Sequence, residues 1–160
     1  MCGPCATSVV VMDIDGTVAD NNHRLHHIVP WVHGLDTPVD WKAYTANLHE
    51  DKPYEDIVEL LNSLWNRGHT VVACTGRSTD EEDATWKWLD EVSGLEFVPS
   101  RMYMRAAGDH RDDQIVKLEL LDRMVADGFV PWLWLDDRRR VVDALRGRGL
   151  RVLHVAHGDY

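Results

Sequence analysis

Cysteine is scarce in this sequence, and long apolar segments are missing. Only three of the 160 residues are cysteine, which argues against a small domain held together by a disulfide framework. No apolar run approaches the roughly 20 residues that span a bilayer, and the first residues lack the basic start and apolar stretch of a signal peptide. We therefore expect a protein that has no membrane segment and resides in the cytoplasm.

Basic residues are also in short supply. Lysine and arginine number 17 against 27 aspartates and glutamates, and the net charge is −10. A chain with this charge does not attract nucleic acid through its overall field, so any polyanion has to be held locally. Several late arginines permit a small basic site, with a mixed-charge solvated surface as the alternative. They are Arg101, Arg105, Arg111, Arg138, Arg139 and Arg140.

Internal repeats, low-complexity tracts and the phosphate-binding motif GxxxxGKS/T are absent from the sequence as well. The last absence excludes a P-loop kinase module within this chain. Hydrophobic residues make up 44% and charged residues 28%, as is typical of a soluble globular protein. A chain of this length predicts one domain with one core.

Short apolar runs alternate with amphipathic stretches along most of the chain. The apolar runs predict five strands, at residues 8–14, 70–75, 97–104, 132–135 and 150–155. Apolar residues at helical spacing predict four helices, at residues 53–67, 79–92, 112–126 and 138–146. This alternation indicates an α/β fold, a Rossmann-like parallel sheet with helices on both faces, in which ligands bind at the carboxyl ends of strands.

Residues 21–52 interrupt this rhythm. We interpret them as a small cap-like insertion over the mouth of the site, within a single domain of residues 1–160. The segment holds five histidines, for most of which we expect solvent-facing positions, with metal ligation as the alternative. Its aromatic residues Trp31, Trp41 and Tyr44 are expected to be buried under the insertion, and stacking on a nucleobase is the alternative.

The opening stretch contains a Cys-x-x-Cys motif at Cys2 and Cys5. A thioredoxin-like site needs such a motif between a strand and the helix whose N-terminus lowers the thiol pKa, but here the motif precedes the first predicted strand. A thiolate metal site would need two more ligands, and Cys74 alone does not complete it. We therefore expect a frayed N-terminal tail rather than a redox or metal site.

Aspartates lie at the ends of two of the predicted strands, with Asp13 and Asp15 at the end of the first and Asp136 and Asp137 after the fourth. Four carboxylates at one sheet edge are tolerable only with a bound cation or with raised pKa values. Oxygen ligands and open positions for water and phosphate suit Mg²⁺, which we expect as the cofactor. Either pair taken alone could equally consist of ordinary turn aspartates.

Four segments in this order resemble the four motifs of haloacid dehalogenase (HAD) superfamily phosphatases: "DIDGTVAD", "ACTGRS", "DDQIVKLELL" and "WLDDRRRVV". The resemblance covers most of residues 9–160. It implies a HAD-like fold in which Asp13 attacks phosphorus and forms an aspartyl-phosphate. It also implies that Asp15 acts as general acid and then as general base.

The same resemblance assigns roles to further residues. Thr75 would donate a hydrogen bond to the phosphate, and Lys117 would offset charge on the nucleophile and the phosphoryl oxygens. From the residues alone, Lys117 and Asp113 would form a helix surface pair, so the catalytic role of Lys117 rests on the resemblance. The implied ligands of Mg²⁺ are Asp13, Asp15 through its backbone carbonyl, Asp136 and Asp137. Of the last two, we favour Asp137 as the direct ligand.

A closer resemblance is to the 3'-phosphatase domain of phage polynucleotide kinase-phosphatases. It is carried by "TGRS", "TWKWL", "MRAAGDHRDDQIVKLELL" and the stretch that ends in "VAHGDY". The resemblance implies that catalysis also depends on Arg24, Arg77 and Asp113, and the planar fork of arginine suits bidentate phosphate binding. Further substrate-binding positions that it implies are Gly16, Thr17, Gly76, Arg105 and Arg111.

The segment that follows Arg24 is longer here than in the phage domain, and such a cap could restrict the site to mononucleotides. We predict an Mg²⁺-dependent phosphatase that removes 3'-phosphates from polynucleotide ends in DNA or RNA repair, where a separate kinase or ligase could act in the same pathway. A 5'- or 3'-mononucleotide phosphatase is the enzyme alternative. The non-enzyme alternative is a catalytically silent module that binds a nucleotide or a partner, and the sequence does not predict the oligomeric state.

Overall fold

The computed structural model describes residues 8–158, so Cys2 and Cys5 lie outside the described residues. The strands in this range are β1 Val9–Met12, β2 Ala19–Asp20, β3 Lys52–Pro53, β4 Thr70–Ser78, β5 Met102–Arg105, β6 Pro131–Asp136 and β7 Val152–His154. The α-helices are α1 Trp41–Ala46, α2 Glu55–Asn66, α3 Glu82–Glu91, α4 Asp113–Ala126 and α5 Arg139–Gly147. Short 3-10 helices cover Asn22–His27, Pro30–His33, Leu48–Glu50 and Thr79–Glu81.

Five parallel strands form the main sheet, in the order β5, β4, β1, β6, β7. All four residues of the central strand β1 are buried. Its last residue, Met12, pairs with Ala73 of β4 and with Leu135 of β6. The residues that follow Met12 therefore emerge at the carboxyl edge of the sheet, between two neighbouring strands.

The alternation of side chains along β1 divides the core into two layers. Val9 and Val11 pack with buried residues of α4 and α5 on one face of the sheet. Val10 and Met12 pack with buried residues of α2 and α3 on the other face. Burying each such side chain contributes about 1.5–3 kcal/mol, so both helix layers hold the strand that carries the first aspartates. The predicted α/β sheet with helices on both faces is confirmed.

The predicted strands and helices are present in residues 8–158, but several differ in length, and β1 and β7 are shorter than predicted at both ends. β4 continues past residue 75 to Ser78, which pairs with Arg105 of β5 after an irregularity in register. β5 begins only at Met102, later than predicted. Pro99 has no N–H to donate to a strand ladder, and Phe97 is buried instead against the layer of α2 and α3.

Residues 21–52 fold into three of the 3-10 helices and the six-residue helix α1. The segment has a small apolar cluster of its own, which consists of Leu25, Ile28, Val29 and Tyr44. The antiparallel pair of β2 and β3 joins its two ends next to the main sheet. Nowhere in residues 8–158 is there a helix that is both long and apolar enough to cross a bilayer.

The expected burial of the aromatic residues in this segment is correct for Tyr44 and wrong for the two tryptophans. Tyr44 is 5% exposed, whereas Trp31 is 65% and Trp41 is 57% exposed. The short helix α1 buries only one residue, Tyr44, which leaves Trp41 outside the cluster. Most of the five histidines face solvent as expected, because His23, His33 and His49 are exposed.

Candidate active site

Three strands of the sheet bring polar side chains to one edge. Asp13 follows β1 directly, and its N–H donates to Leu135 O at 3.0 Å. Thr75 lies on β4 just past the last residue that pairs with β1, and Asp136 is the last residue of β6. All three side chains are buried. The predicted convergence at strand ends is therefore present in the fold.

Lys117 reaches this edge from helix α4. Its side chain is 1% exposed, and Nζ lies 2.9 Å from Asp13 Oδ1 and 2.8 Å from Asp136 Oδ2. Asp113, one turn earlier on the helix, is 3.4 Å away. The pair expected from the residues alone thus exists, but it is buried rather than on the surface, because this face of α4 packs onto the sheet.

Asp13, Asp136 and Asp137 form a buried cluster that we call the acidic triad. Each offers a carboxylate oxygen, and these oxygens lie within 4.8 Å of one another. Burial, together with the charges of Asp136 and Asp137, raises the pKa of Asp13 well above its ordinary value, although Lys117 opposes the shift. Burial and the charge of Asp136 raise the pKa of Asp137 to about 6. Three hard oxygen donors beside one ammonium group fit a Mg²⁺ ion.

Asp136 and Asp137 are held differently. Both oxygens of Asp136 accept hydrogen bonds, from Lys117 and the Trp134 indole at Oδ2 and from the Arg138 N–H at Oδ1. The carboxylate of Asp137 instead packs against the backbone of Gly16 and Gly158, where an added Cβ would overlap it. The backbone carbonyl of Asp137 accepts the Gly158 N–H at 2.9 Å and faces His154 Nε2 at 2.7 Å. Gly158 and His154 therefore contact Asp137 and help to fix its position.

Asp15 contacts two arginines. We call Arg24, Arg77, Asp15 and Asp51 together the arginine cluster. Arg77 donates to both oxygens of Asp15, from Nε at 3.0 Å and from Nη2 at 2.7 Å, and Arg24 donates to Oδ1. Burial alone would raise the pKa of Asp15. The charges and hydrogen bonds of Arg77 and then Arg24 outweigh it and hold the pKa well below the usual range.

Asp51 is the member of the arginine cluster that the sequence analysis missed. Its buried carboxylate accepts from Arg24 Nε at 2.7 Å and from Arg77 Nη2 at 3.0 Å. Its backbone carbonyl accepts the Trp88 indole N–H at 2.8 Å, which ties residues 21–52 to helix α3. Charge balance could have indicated it, since two buried arginines beside Asp15 call for a second carboxylate.

The smaller predicted residues line the same edge. Thr17 Oγ1 donates to Asp13 Oδ2 at 3.4 Å, and Thr75 Oγ1 accepts the Arg77 N–H at 3.2 Å. Gly16 has a φ of 78°, a backbone conformation that favours glycine. Gly76 has no room for a side chain, because a Cβ there would collide with the Asp113 carboxylate.

Arg105 and Arg111, the predicted further phosphate or strand contacts, border the cleft but are engaged with other groups. Arg105 donates to Gly76 O at 2.9 Å and to Asp113 Oδ1 at 3.0 Å. Arg111 pairs with Asp109 and Glu119. Their contact with substrate stays a prediction. The cleft has a volume of about 550 Å³, and both the sheet edge and the 21–52 segment line it.

Comparisons with known proteins identify relatives of this chain. The family model of the polynucleotide kinase PNKP phosphatase domain matches residues 7–160. Two solved structures of a Pnkp1/Rnl/Hen1 complex, one of them called an RNA repair complex, are similar with TM-scores of 0.77 and 0.78 at 23% identity. The matches cover 96% and 99% of this chain but 44% and 49% of those chains, so this chain spans less than half of their length.

A class C acid phosphatase from Bacillus anthracis with tungstate bound is similar as well. Its TM-score is 0.65 at 19% identity, over 98% of this chain and 70% of that one. At such identities these structures show a shared fold only, that of HAD hydrolases. The match to the family model covers nearly all residues and therefore shows family membership. The chain belongs to the PNKP phosphatase-domain family and is a HAD-superfamily phosphatase domain.

Proposed function

We propose that this chain hydrolyses 3'-phosphate monoesters at nucleic-acid ends, with Mg²⁺ and through an aspartyl-phosphate on Asp13. One observation carries the proposal. The buried carboxylate of Asp13 lies 2.9 Å from Lys117 and within the acidic triad, and it shares its cleft with Asp15, Arg24 and Arg77. The residues proposed as nucleophile, acid and phosphate ligands are therefore neighbours at one edge of the sheet, which supports the proposal.

The acidic triad supplies the ligands proposed for the metal. Asp13 and Asp137 would bind it directly, with the Asp15 backbone carbonyl, because donors already engage both oxygens of Asp136. A bound divalent cation would offset the charge of the carboxylates and of the phosphoryl group. Without it, Asp13 has a raised pKa and is a weaker nucleophile at neutral pH.

The side chains account for both proton transfers. A carboxylate oxygen of Asp13 attacks phosphorus, and the bond from phosphorus to the leaving oxygen breaks while Asp15 gives that oxygen a proton. A water molecule then attacks the phosphorus of the aspartyl-phosphate while Asp15 takes its proton. The bond between phosphorus and the Asp13 oxygen breaks, which releases phosphate and restores the carboxylate. Thr75 and Lys117 would stabilise the phosphoryl oxygens.

The arginine cluster prepares Asp15 for this role only when phosphate is present. In the structure, Arg77 and Arg24 hold the pKa of Asp15 low, which favours the ionised form and not the acid. A phosphate dianion in the cleft would compete for the same guanidinium groups. As they turn to the phosphate, Asp15 loses the contacts that lower its pKa and can carry a proton.

The choice of nucleic acid rests on the family match and on the proposed arginine contacts. The similar solved structures are of a Pnkp1/Rnl/Hen1 complex, which supports a pathway with a separate kinase or ligase. A mononucleotide phosphatase is the second candidate, favoured by the 21–52 segment that forms one wall of the cleft. A catalytically silent binding module fits poorly with the complete set of carboxylates.

A substrate panel tests the proposal. Phosphate release should be faster from a 3'-phosphorylated oligonucleotide than from 3'- or 5'-mononucleotides, and chelation of Mg²⁺ should abolish it. Asp13→Asn is the control for contaminating phosphatase. Faster release from free nucleotides would favour a mononucleotide phosphatase. No release from any ester would favour the catalytically silent binding module.

The metal can be tested without turnover. Mg²⁺ at about 100 times its Kd stabilises a folded protein by about 2.7 kcal/mol, or about 5–10 °C in Tm for a chain of this size. Wild type should show this shift, and Asp137→Asn should lose most of it. An equal shift in both proteins would place the metal elsewhere.

A further inference from the structure

An exposed aromatic ring borders the charged cleft. Trp41 is 57% exposed, yet it lines the same cleft as Asp13 and Asp15. Trp31 is a useful comparison, because it belongs to the same segment and is 65% exposed but is not among the residues that line this cleft. An exposed tryptophan presents a large flat apolar face to whatever enters the site.

The ring of Trp41 packs against a buried neighbour. It packs edge-on against Tyr44, with ring centres 5.8 Å apart and planes at 87°. Tyr44 is buried, accepts a hydrogen bond from Asn21 at 2.8 Å, and lies 4.0 Å under the guanidinium of Arg24. Because Arg24 in turn contacts Asp15, the Trp41 ring is linked to the proposed acid through two residues, Tyr44 and Arg24.

The backbone of helix α1 is fixed as well. Asp40 caps the helix by accepting the Ala43 N–H at 2.9 Å, and its own N–H donates to His27 O at 2.8 Å. Trp41 is the first residue after this cap. A ring that is preorganised in this way loses little conformational entropy when a flat partner stacks on it.

Electrostatic attraction alone would bind a nucleic-acid strand only weakly at this cleft. The net charge of the chain is −10, and the nearby Arg105 and Arg111 are paired with carboxylates. Stacking on an aromatic face is different, because it needs no net positive charge and tolerates any base sequence.

We propose that Trp41 is a specificity-determining residue that stacks on a nucleobase of the strand next to the scissile phosphate. This inference rests on the proposed function and narrows its substrate to phosphate esters that carry a base. It assigns to the 21–52 segment a part in substrate recognition and not only in covering the site.

The test compares two substrates and four proteins. One oligonucleotide carries a 3'-phosphate on an ordinary terminal nucleotide, and the other carries it after abasic residues at the last two positions. Wild type, Trp41→Ala, Trp41→Phe and Trp31→Ala are compared by kcat/KM on each. Trp31→Ala is the matched control, because it removes a similarly exposed ring that does not line the cleft.

Trp41→Ala should lower kcat/KM about 10- to 100-fold on the ordinary substrate and less than about twofold on the abasic one. Trp41→Phe should recover most of the loss, and Trp31→Ala should behave as wild type. Equal losses on both substrates, or no loss, would overturn the stacking inference alone. If wild-type protein released no phosphate from either oligonucleotide, the proposed function would fall, and this inference with it.

Discussion

The acidic triad and the arginine cluster lie side by side, but they balance their charges in opposite ways. In the triad, three buried carboxylates crowd together, Lys117 contacts Asp13 and Asp136, and the charges of Lys117 and Arg138 act on Asp137. In the arginine cluster, two carboxylates face two guanidinium groups and every one of the four contacts a partner of opposite charge. Burial acts to raise the pKa of all three aspartates: neighbouring carboxylates add to this effect at Asp13 and Asp137, whereas Arg77 and Arg24 outweigh it at Asp15 and lower its pKa.

This difference indicates what each region is built to accept. A buried group of like charges favours uptake of a cation, which reduces the repulsion. A group that is already neutral favours an exchange, in which an incoming phosphate replaces a carboxylate as the partner of arginine. Under the proposed function, a metal and a phosphate would bind next to each other without a large change in total charge.

The strongest test of the triad removes its central carboxylate. Asp13→Asn should lower phosphatase activity by about 10³-fold or more, since it removes the proposed nucleophile and a metal ligand. Its Tm without Mg²⁺ should equal or exceed that of wild type, because one of three crowded charges is gone. Phosphate release and thermal unfolding measure the two effects.

Asp122→Asn is the control for this substitution. Asp122 lies on the exposed side of α4, where it pairs with Arg148, and its loss should leave both activity and Tm close to wild type. Near-wild-type turnover by folded Asp13→Asn would refute the covalent mechanism.

The arginine cluster should respond to the loss of a carboxylate in the opposite sense. Asp51→Asn leaves two buried guanidinium groups with Asp15 as their remaining carboxylate, so we expect the free energy of unfolding to fall by about 3 kcal/mol. Urea unfolding measures the change. Asp143→Asn breaks an exposed pair with Arg139 and should cost less than about 1 kcal/mol. Equal small losses would show that the cluster is not balanced as described.

The two regions also differ in how much of them the sequence predicts. The triad could be anticipated because its aspartates follow short apolar strands, and the ends of parallel strands meet at one edge. Lys117 was less predictable, since its spacing from Asp113 also fits a surface pair, and only the packing of α4 shows which face is buried.

Much of the arginine cluster could not be predicted from local pattern. Asp51 lies in an irregular segment, and its contacts with Arg24 and Arg77 span 27 and 26 residues. The exposure of Trp41 follows from how little apolar volume a six-residue helix can cover, which composition does not reveal. Where strand and helix periodicity end, the sequence pattern loses its power to place side chains.

A smaller effect is expected when the backbone contact behind Asp137 is changed and the charges of the triad are kept. A Cβ at Gly158 would overlap the Asp137 carboxylate and approach its backbone oxygen at 3.1 Å, so Gly158→Ala should displace this proposed ligand. We expect about a tenfold rise in the Mg²⁺ concentration that gives half-maximal activity. Gly147→Ala is the matched control, because a Cβ there meets no atom within 4 Å. Equal Mg²⁺ requirements would show that Gly158 does not position Asp137.

The smallest expected effect is a difference in the pH dependence of stability. The folded-state pKa of Asp137 is raised to about 6, against an ordinary value of about 3.9, so between these values the metal-free folded protein binds a proton that the unfolded chain does not. Acidification from pH 7 to 5 should therefore stabilise wild type relative to Asp137→Asn, by about 2–4 °C in Tm.

Asp15 should show the opposite pH dependence. Its pKa is lowered, so its contribution to stability is full above about pH 4 and is lost only as the pH falls further. Comparing wild type with Asp15→Asn should accordingly show no change between pH 7 and 5 and a loss below pH 4. Saturating Mg²⁺ should remove the first difference and leave the second, because the metal keeps Asp137 ionised. If both variants gave the same pH profile, the opposite charge balance of the two regions would be disproved.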